Sequence, residues 1–427
     1  MSHRRAAGSH RWSRRQFVQR AGGIGAALVL ARTGLAAGPA VAATAAESTR
    51  YGPMADTADA HGLRLPPGFS SRVLAVGGEP VGDTGYEWHP YPDGGGVLPL
   101  RRGGWIYTSN SEVPWPGAGG ASALRFSRDG AIVAAYRILS DTTSNCAGGM
   151  TPWGTWLSCE EFTTGRVWEC DARGRTPAVA RPAMGIFAHE AAAVDAARRC
   201  VYMTEDAFDG LLYRFVPTRW PHLDAGVLEA AAIDGDRVSW VPVPDPSAAD
   251  APVRDTVPGA THLAGSEGLF VWGDQLYFAT KYDSHVYRLD LTTSTMSTLW
   301  DGAEPLVGTD NLTVHASTGD VFVCEDAGDM QIVAITPDGQ AAPFLQVVGH
   351  PDSELTGVAF DPSGTRMYFS SQRGPSPKRL PDVVPEATDD RPIGMTFEVT
   401  GPFVPVIATP ATTTTTTRPR DRGGRSA

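Results

Sequence analysis

VFVCED, Val321 to Asp326, is a short apolar run that ends in two acidic residues. Valine, phenylalanine and valine in succession favour a pleated strand. Close copies recur as WIYTSNSE (Trp105–Glu112), WLSCEE (Trp156–Glu161), VYMTED (Val201–Asp206), LYFATKYD (Leu276–Asp283) and MYFSSQRG (Met367–Gly374). In chain order the copies start 51, 45, 75, 45 and 46 residues apart, and the longest interval holds a Pro/Ala-rich insertion from Thr218 to Pro258. Each copy leads into a second apolar stretch, such as HVYRLDL or QIVAITPDG. Six copies at about 45 residues have the period of a four-stranded propeller blade. Coincidental spacing in a sandwich would not repeat six times. The expected fold class is therefore all-β, a six-bladed β-propeller with a central metal site, spanning residues 61–403. The early strand FSSRVLAVG (Phe69–Gly77) is expected beside MTFEVTGPF, where it would complete the last blade.

The segment before each run is also regular: EAAAVDAARRCVYMTED, EGLFVWGDQLYFATKYD, NLTVHASTGDVFVCED and ELTGVAFDPSGTRMYFSSQ. Each reads as strand, turn and strand. In an antiparallel hairpin, the start of one strand and the end of the other share an edge. That rule brings Asn145 near Glu160 and Glu161, and Glu190 near Glu205 and Asp206. It brings Glu267 near Asp283, Asn311 near Glu325 and Asp326, and Glu354 near Gln372 and Arg373. If these hairpins are the inner strands of radial blades, the edges meet around one mouth. A ring of carboxylates and amides follows. Crowded like charges raise one another's pKa unless a cation lies between them. Oxygen-rich clusters of this kind select Ca²⁺ or Mg²⁺, and one thiolate would admit a transition metal such as iron.

The formal net charge is −11. Arg4, Arg5, Arg11, Arg14, Arg15, Arg20 and Arg32 all precede the first acidic residue, Glu47, so the chain without these seven carries −18. A body this acidic repels nucleic-acid phosphates, which argues against a nucleic-acid partner. SRRQF (Ser13–Phe17), the apolar run Gly22–Leu30 and Ala40-Val41-Ala42 make residues 1–42 a twin-arginine signal peptide. The expected partner is the twin-arginine export machinery. The expected location is the periplasm, cell surface or medium, with no membrane span in the mature form. The threonine run Thr412–Thr417 and RPRDRGGRSA make residues 410–427 a tail without a core. Five cysteines (Cys146, Cys159, Cys170, Cys200 and Cys324) leave at least one thiol unpaired within the chain. A Cys146–Cys159 disulfide competes with a metal role for Cys159. Gly117-Ala118-Gly119-Gly120 lacks a phosphate-loop lysine, and no HExxH or CxxC occurs.

NCAGGMTPWGTWLSCEE (Asn145–Glu161), MGIFAHEAAAVD (Met184–Asp195), VYMTEDAFDGLLYRFVP (Val201–Pro217), DNLTVHASTGDVFVCED (Asp310–Asp326) and ELTGVAFDPSGTRMYFSSQ (Glu354–Gln372) resemble the PhoX-type alkaline phosphatases. The resemblance runs roughly from His61 to Phe403. It implies a six-bladed propeller, a cluster of Fe³⁺ and Ca²⁺ around a bridging oxide, and hydrolysis of small phosphate monoesters outside the cytoplasm. It assigns an iron-ligand role to Cys159 and acidic ligand roles to Glu160, Glu161, Glu190, Glu267 and Glu325. The repeat adds Glu205, Asp206, Asn311 and Asp326 as ring candidates. Arg373 is the candidate for holding the substrate phosphate, because it follows a blade strand at the same edge. Three departures stand out. Gln372-Arg373-Gly374-Pro375 replaces a sequence close to QHPG, Lys281-Tyr282-Asp283 replaces an acidic pair, and Asn110-Ser111-Glu112 replaces an NHE-like motif. The rival readings are a calcium-dependent propeller hydrolase of lactones or other esters, and a non-enzymatic secreted propeller with structural calcium. A closed propeller hides its strand edges, so a monomer is expected.

Overall fold

The computed structural model describes residues 50–326, 328–375 and 393–403. The chain divides into Met1–Ala46 and Glu47–Ala427, and every described residue belongs to the second unit. The signal peptide at 1–42 and the tail at 410–427 lie outside the described residues. What is described is all-β, and the helical content is three short 3₁₀ turns, Gly82–Thr84, Pro182–Met184 and Val253–Thr256. No helix among the described residues is long and apolar enough to cross a membrane.

The repeat appears as antiparallel meanders in a propeller-like arrangement. Hydrogen bonding forms three four-stranded sheets, one five-stranded sheet and one nine-stranded sheet. The sequence predicts separate blades, and the nine-stranded sheet departs from that. It joins the meander beginning at His189–Asp195 to the one ending at Thr295–Asp301. The cause is the insertion. Arg237–Pro242 adds a fifth strand to the first meander and meets Thr295–Asp301 through a single pair, Arg237 with Thr295. At the other junction, Ser70–Val76 pairs with Met395–Thr400, so the early strand completes the last sheet as its sequence suggests.

Strand alternation explains the packing. In Val321–Glu325, Phe322 and Cys324 enter one apolar cluster while Val321 and Val323 enter another. Trp156 and Leu157 divide in the same way, as do Tyr202 and Met203. Apolar clusters thus lie between successive meanders. One of them joins Tyr368 of the last meander to Trp105 and Tyr107 of the first. Burying a side chain such as Phe322 removes its whole apolar surface from water, a gain of about 2–3 kcal/mol.

The first strand of each meander carries a bulge near its start. Register shifts fall between Pro92 and Gly95, Asn145 and Gly148, His189 and Ala192, Ser266 and Leu269, Thr309 and Leu312, and Thr356 and Ala359. Small residues at the bulges let these strands approach closely. A Cβ on Gly268 would lie 2.5 Å from the Leu312 nitrogen, and one on Gly94 would lie 2.3 Å from the Ala147 Cα. The residue just before each of these small ones carries the chemistry.

Candidate metal centre

The bulges hold Asp93, Cys146, Glu190, Glu267 and Asp310, and all five are buried. The ends of the partner strands add Glu112, Glu161 and Asp326. Glu354 comes from the last meander. These nine residues form four groups whose ligand atoms lie within 4.8 Å of one another: Glu112–Cys146–Glu161, Asp93–Glu112–Glu354, Asp310–Asp326–Glu354, and Glu190–Glu267–Asp310. Glu112, Glu354 and Asp310 each belong to two groups, so the four form one continuous chain of oxygen and sulfur donors.

Cations and amides of the protein already offset part of this charge. Gln372 Nε2 donates to Asp93 Oδ2 at 2.5 Å and to Glu112 Oε2 at 2.7 Å. Arg373 Nη2 lies 3.1 Å from Glu354 Oε2. Lys281 Nζ lies 2.8 Å from Asp326 Oδ2, 3.2 Å from Glu267 Oε1 and 3.5 Å from Asp310 Oδ2. Asn311 Nδ2 donates to Asp310 Oδ1 at 3.0 Å and to Glu190 Oε1 at 3.4 Å, while its Oδ1 accepts from the Gly357 amide.

The electrostatics follow from burial and crowding. Burial, reinforced by Glu112, Glu354 and Asp310, holds Asp93 well above the usual carboxylate range. Burial with Glu267, Glu161, Asp310 and Asp93 does the same to Glu190. Glu267 and Glu354 are also raised, because burial outweighs their cations, Lys281 and Arg373 respectively. Asp326 goes the other way. Burial would raise it, but Lys281, a hydrogen bond with Glu354 and Arg373 together bring it below the ordinary range. Burial and the carboxylates Asp93, Glu190, Glu112 and Glu161 push the Cys146 thiol far up. Desolvated carboxylates in this state are what a cation relieves. Among the described residues, Glu190 Oε2 and Gln372 Oε1 are buried without a hydrogen-bond partner. The donor set therefore fits bound cations. The thiol in the Glu112–Cys146–Glu161 group suits a transition metal, and the all-oxygen groups suit calcium.

The ring brings together Glu161, Glu190, Glu267 and Asp326 of the sequence candidates, with Asn311 bonded to Glu190 and Arg373 to Glu354. Asp206 is buried and faces Glu267 and Asp310 electrostatically, outside the four groups. Cys159 stands elsewhere. Its thiol is fully buried among Leu157, Val167, Met203 and Phe215, where burial raises its pKa. Strand alternation turns it away from the mouth, and Cys146 supplies the sulfur there instead. All five cysteines are free thiols. Glu160, Glu205 and Glu325 also lie outside the four groups. Glu160 accepts from the amides of Thr143 at 3.0 Å and Arg166 at 3.2 Å. Glu325 accepts from those of Val307 at 3.3 Å and Gln331 at 2.9 Å. Glu205 accepts from Tyr213 Oη at 2.8 Å and pairs with Arg254 at 2.9 Å. These three carboxylates tie loops to strand ends. Asp283, expected beside Glu267, instead accepts from Thr280 Oγ1 at 2.5 Å. Asp93, Glu112, Cys146, Asp310 and Glu354 are the donors that the sequence candidates leave out. The available signal was an acid or cysteine followed by a small residue or Asn: Asp93-Gly94, Cys146-Ala147, Glu190-Ala191, Glu267-Gly268 and Asp310-Asn311.

The family model described as alkaline phosphatase PhoX matches residues 101–175 and 164–283. The chain is similar to the PhoX alkaline phosphatases. Among solved structures, Pseudomonas fluorescens PhoX in complex with vanadate, a transition-state analogue, is 18% identical. The similarity covers 80% of this chain and 96% of that one with a TM-score of 0.64, which establishes a shared fold. A gluconolactonase from Xanthomonas campestris is 14% identical, covering 82% of this chain and 98% of that one, with a TM-score of 0.42. That second likeness is too low to carry weight. No curated protein matches the chain by sequence.

Proposed function

We propose that this chain is an exported, PhoX-like phosphatase that releases inorganic phosphate from small phosphate monoesters. Its two fused meanders count as separate blades, which gives a six-bladed propeller around the mouth. The single observation that carries the reading is the continuous donor chain of eight carboxylates and one thiol, linked through Glu112, Glu354 and Asp310. Glu112, Cys146 and Glu161 would hold iron. Asp93 and Glu354, with Glu112 shared between the two groups, would hold calcium. Bound cations would supply the charge neutralisation that phosphoryl transfer needs at the phosphate oxygens.

The rest of the work falls to side chains. Gln372 fixes Asp93 and Glu112 in one orientation, because its amide donates to both. Arg373, beside Glu354 at the edge of the mouth, would hold a phosphate oxygen through its guanidinium donors. The buried walls of the mouth exclude water from these contacts and so strengthen them. Export follows from the twin-arginine pattern at Arg14-Arg15, and a monomer from the closed arrangement of strands.

The test offers the purified, metal-loaded protein p-nitrophenyl phosphate and, separately, a simple lactone. Phosphate release that vanadate inhibits supports the proposal. Hydrolysis of the lactone alone, or of neither compound, overturns it.

A further inference from the structure

The mouth is not uniformly acidic. Five of the six partner strands end in Glu112, Glu161, Asp206, Lys281 and Asp326 at matching places, just after Ser111, Glu160, Glu205, Thr280 and Glu325, the residues that close the hairpin ladders, and the sixth ends in Gln372 after Ser371. Four are acids and one is a lysine. The chain has only one other lysine, Lys378, against many arginines, so a lysine at this place is unusual for its composition. Lys281 is only 13% exposed, and its ammonium lies within 3.5 Å of three carboxylates, Glu267 of its own meander and Asp310 and Asp326 of the next. Exchanging an acid for a lysine adds two units of positive charge, which is the charge of one divalent cation. An ammonium touching three carboxylate oxygens does what such a cation would do there.

We infer that Lys281 takes the place of a divalent cation between Glu267, Asp310 and Asp326, so that this chain carries its exchangeable metals on the Asp93–Cys146 side of the mouth. The inference rests on the metal-dependent reading above. It gives the mouth one fixed cation that a chelator cannot remove. It also leaves Asp326 ionised beside an ammonium, while the carboxylates on the other side remain available to metal. The sequence departure at Lys281-Tyr282-Asp283 is thus a change in how the ring is neutralised. Asp283 does not compensate, because it is bonded to Thr280 outside the donor groups.

The test counts calcium and iron per chain by mass spectrometry after dialysis against both metals, in wild type, Lys281→Arg and Lys281→Asp. The expected result is the same count for wild type and Lys281→Arg, and one additional calcium per chain for Lys281→Asp. An unchanged count in a folded Lys281→Asp variant overturns the inference. If that variant fails to fold, reductive methylation of the wild type decides, read peptide by peptide. Protection of Lys281 that is equal with and without metal supports the inference. Exposure of Lys281 to methylation on metal loading overturns it, because the metal would then have displaced the amine. Phosphate release measured on the same wild-type samples keeps the two ideas apart. An inactive protein whose Lys281 behaves as expected contradicts only the phosphatase reading, and an active one with an unchanged count contradicts only the role of Lys281.

Discussion

Arg373 and Glu354 form a close pair, Nη2 to Oε2 at 3.1 Å, and Glu354 belongs to two of the four donor groups. Among the described residues, the cation paired with that shared carboxylate is this arginine at the edge of the mouth. A hydrogen bond between charged groups contributes about 1.5–3 kcal/mol. Arg373→Ala is expected to raise KM for p-nitrophenyl phosphate by about 10- to 150-fold, with a smaller change in kcat. Steady-state kinetics check this. A KM within twofold of wild type would remove Arg373 from phosphate binding.

Cys146 and Cys159 should separate cleanly. Cys146→Ser is expected to lose iron and any visible thiolate-to-iron absorption while keeping the fold. Cys159→Ala is expected to keep the metal, and to lose about 1–3 kcal/mol of stability from the cavity left beside Leu157 and Phe215. Iron content and urea unfolding of both variants distinguish them. Iron loss in Cys159→Ala alone would return the ligand role to Cys159.

Glu325 tests whether a strand-end carboxylate is a ligand or a tie. It accepts backbone amides from Val307 and Gln331. Glu325→Ala leaves both amides without that acceptor, at a cost of about 1–3 kcal/mol. The fall in Tm should be similar with metal and with chelator. A fall seen only in the metal-loaded protein would make Glu325 a ligand.

The metal-free protein should lose heat stability as pH rises. Asp93, Glu190, Glu267 and Glu354 all have folded pKa values above their unfolded ones. Each contributes stability that is complete below the unfolded value and is lost as pH rises through the folded one. Glu325, pushed up by burial from 4.5 to about 7, has the same sign. Asp326 has the opposite sign, and its contribution is lost only in acid below the ordinary carboxylate range. In chelator, Tm should therefore fall as pH rises from the ordinary carboxylate range through about 7, the value for Glu325. Calcium and iron should restore it at pH 8 by replacing the protons. Thermal scans across pH, with and without metal, check both parts.

The repeat in VFVCED made the hairpins and their shared edge legible, because period-two alternation and turn residues are written locally. The same alternation already pairs Cys324 with Phe322 and Cys159 with Leu157, on faces turned into the core. The family resemblance drew Cys159 toward the metal against that signal. Asp93, Cys146 and Asp310 were harder to see, because a bulge breaks the alternation at the very place where the side chain turns inward. The fusion of two meanders through Arg237 and Thr295 depends on where the insertion folds back, which no local pattern records.

The most direct measurement is phosphate release from p-nitrophenyl phosphate by the iron- and calcium-loaded protein, before and after a strong chelator, and again after both metals are restored. The account predicts turnover that chelation abolishes and restoration recovers. Turnover that survives complete removal of metal, or no release from the fully loaded protein, would contradict it.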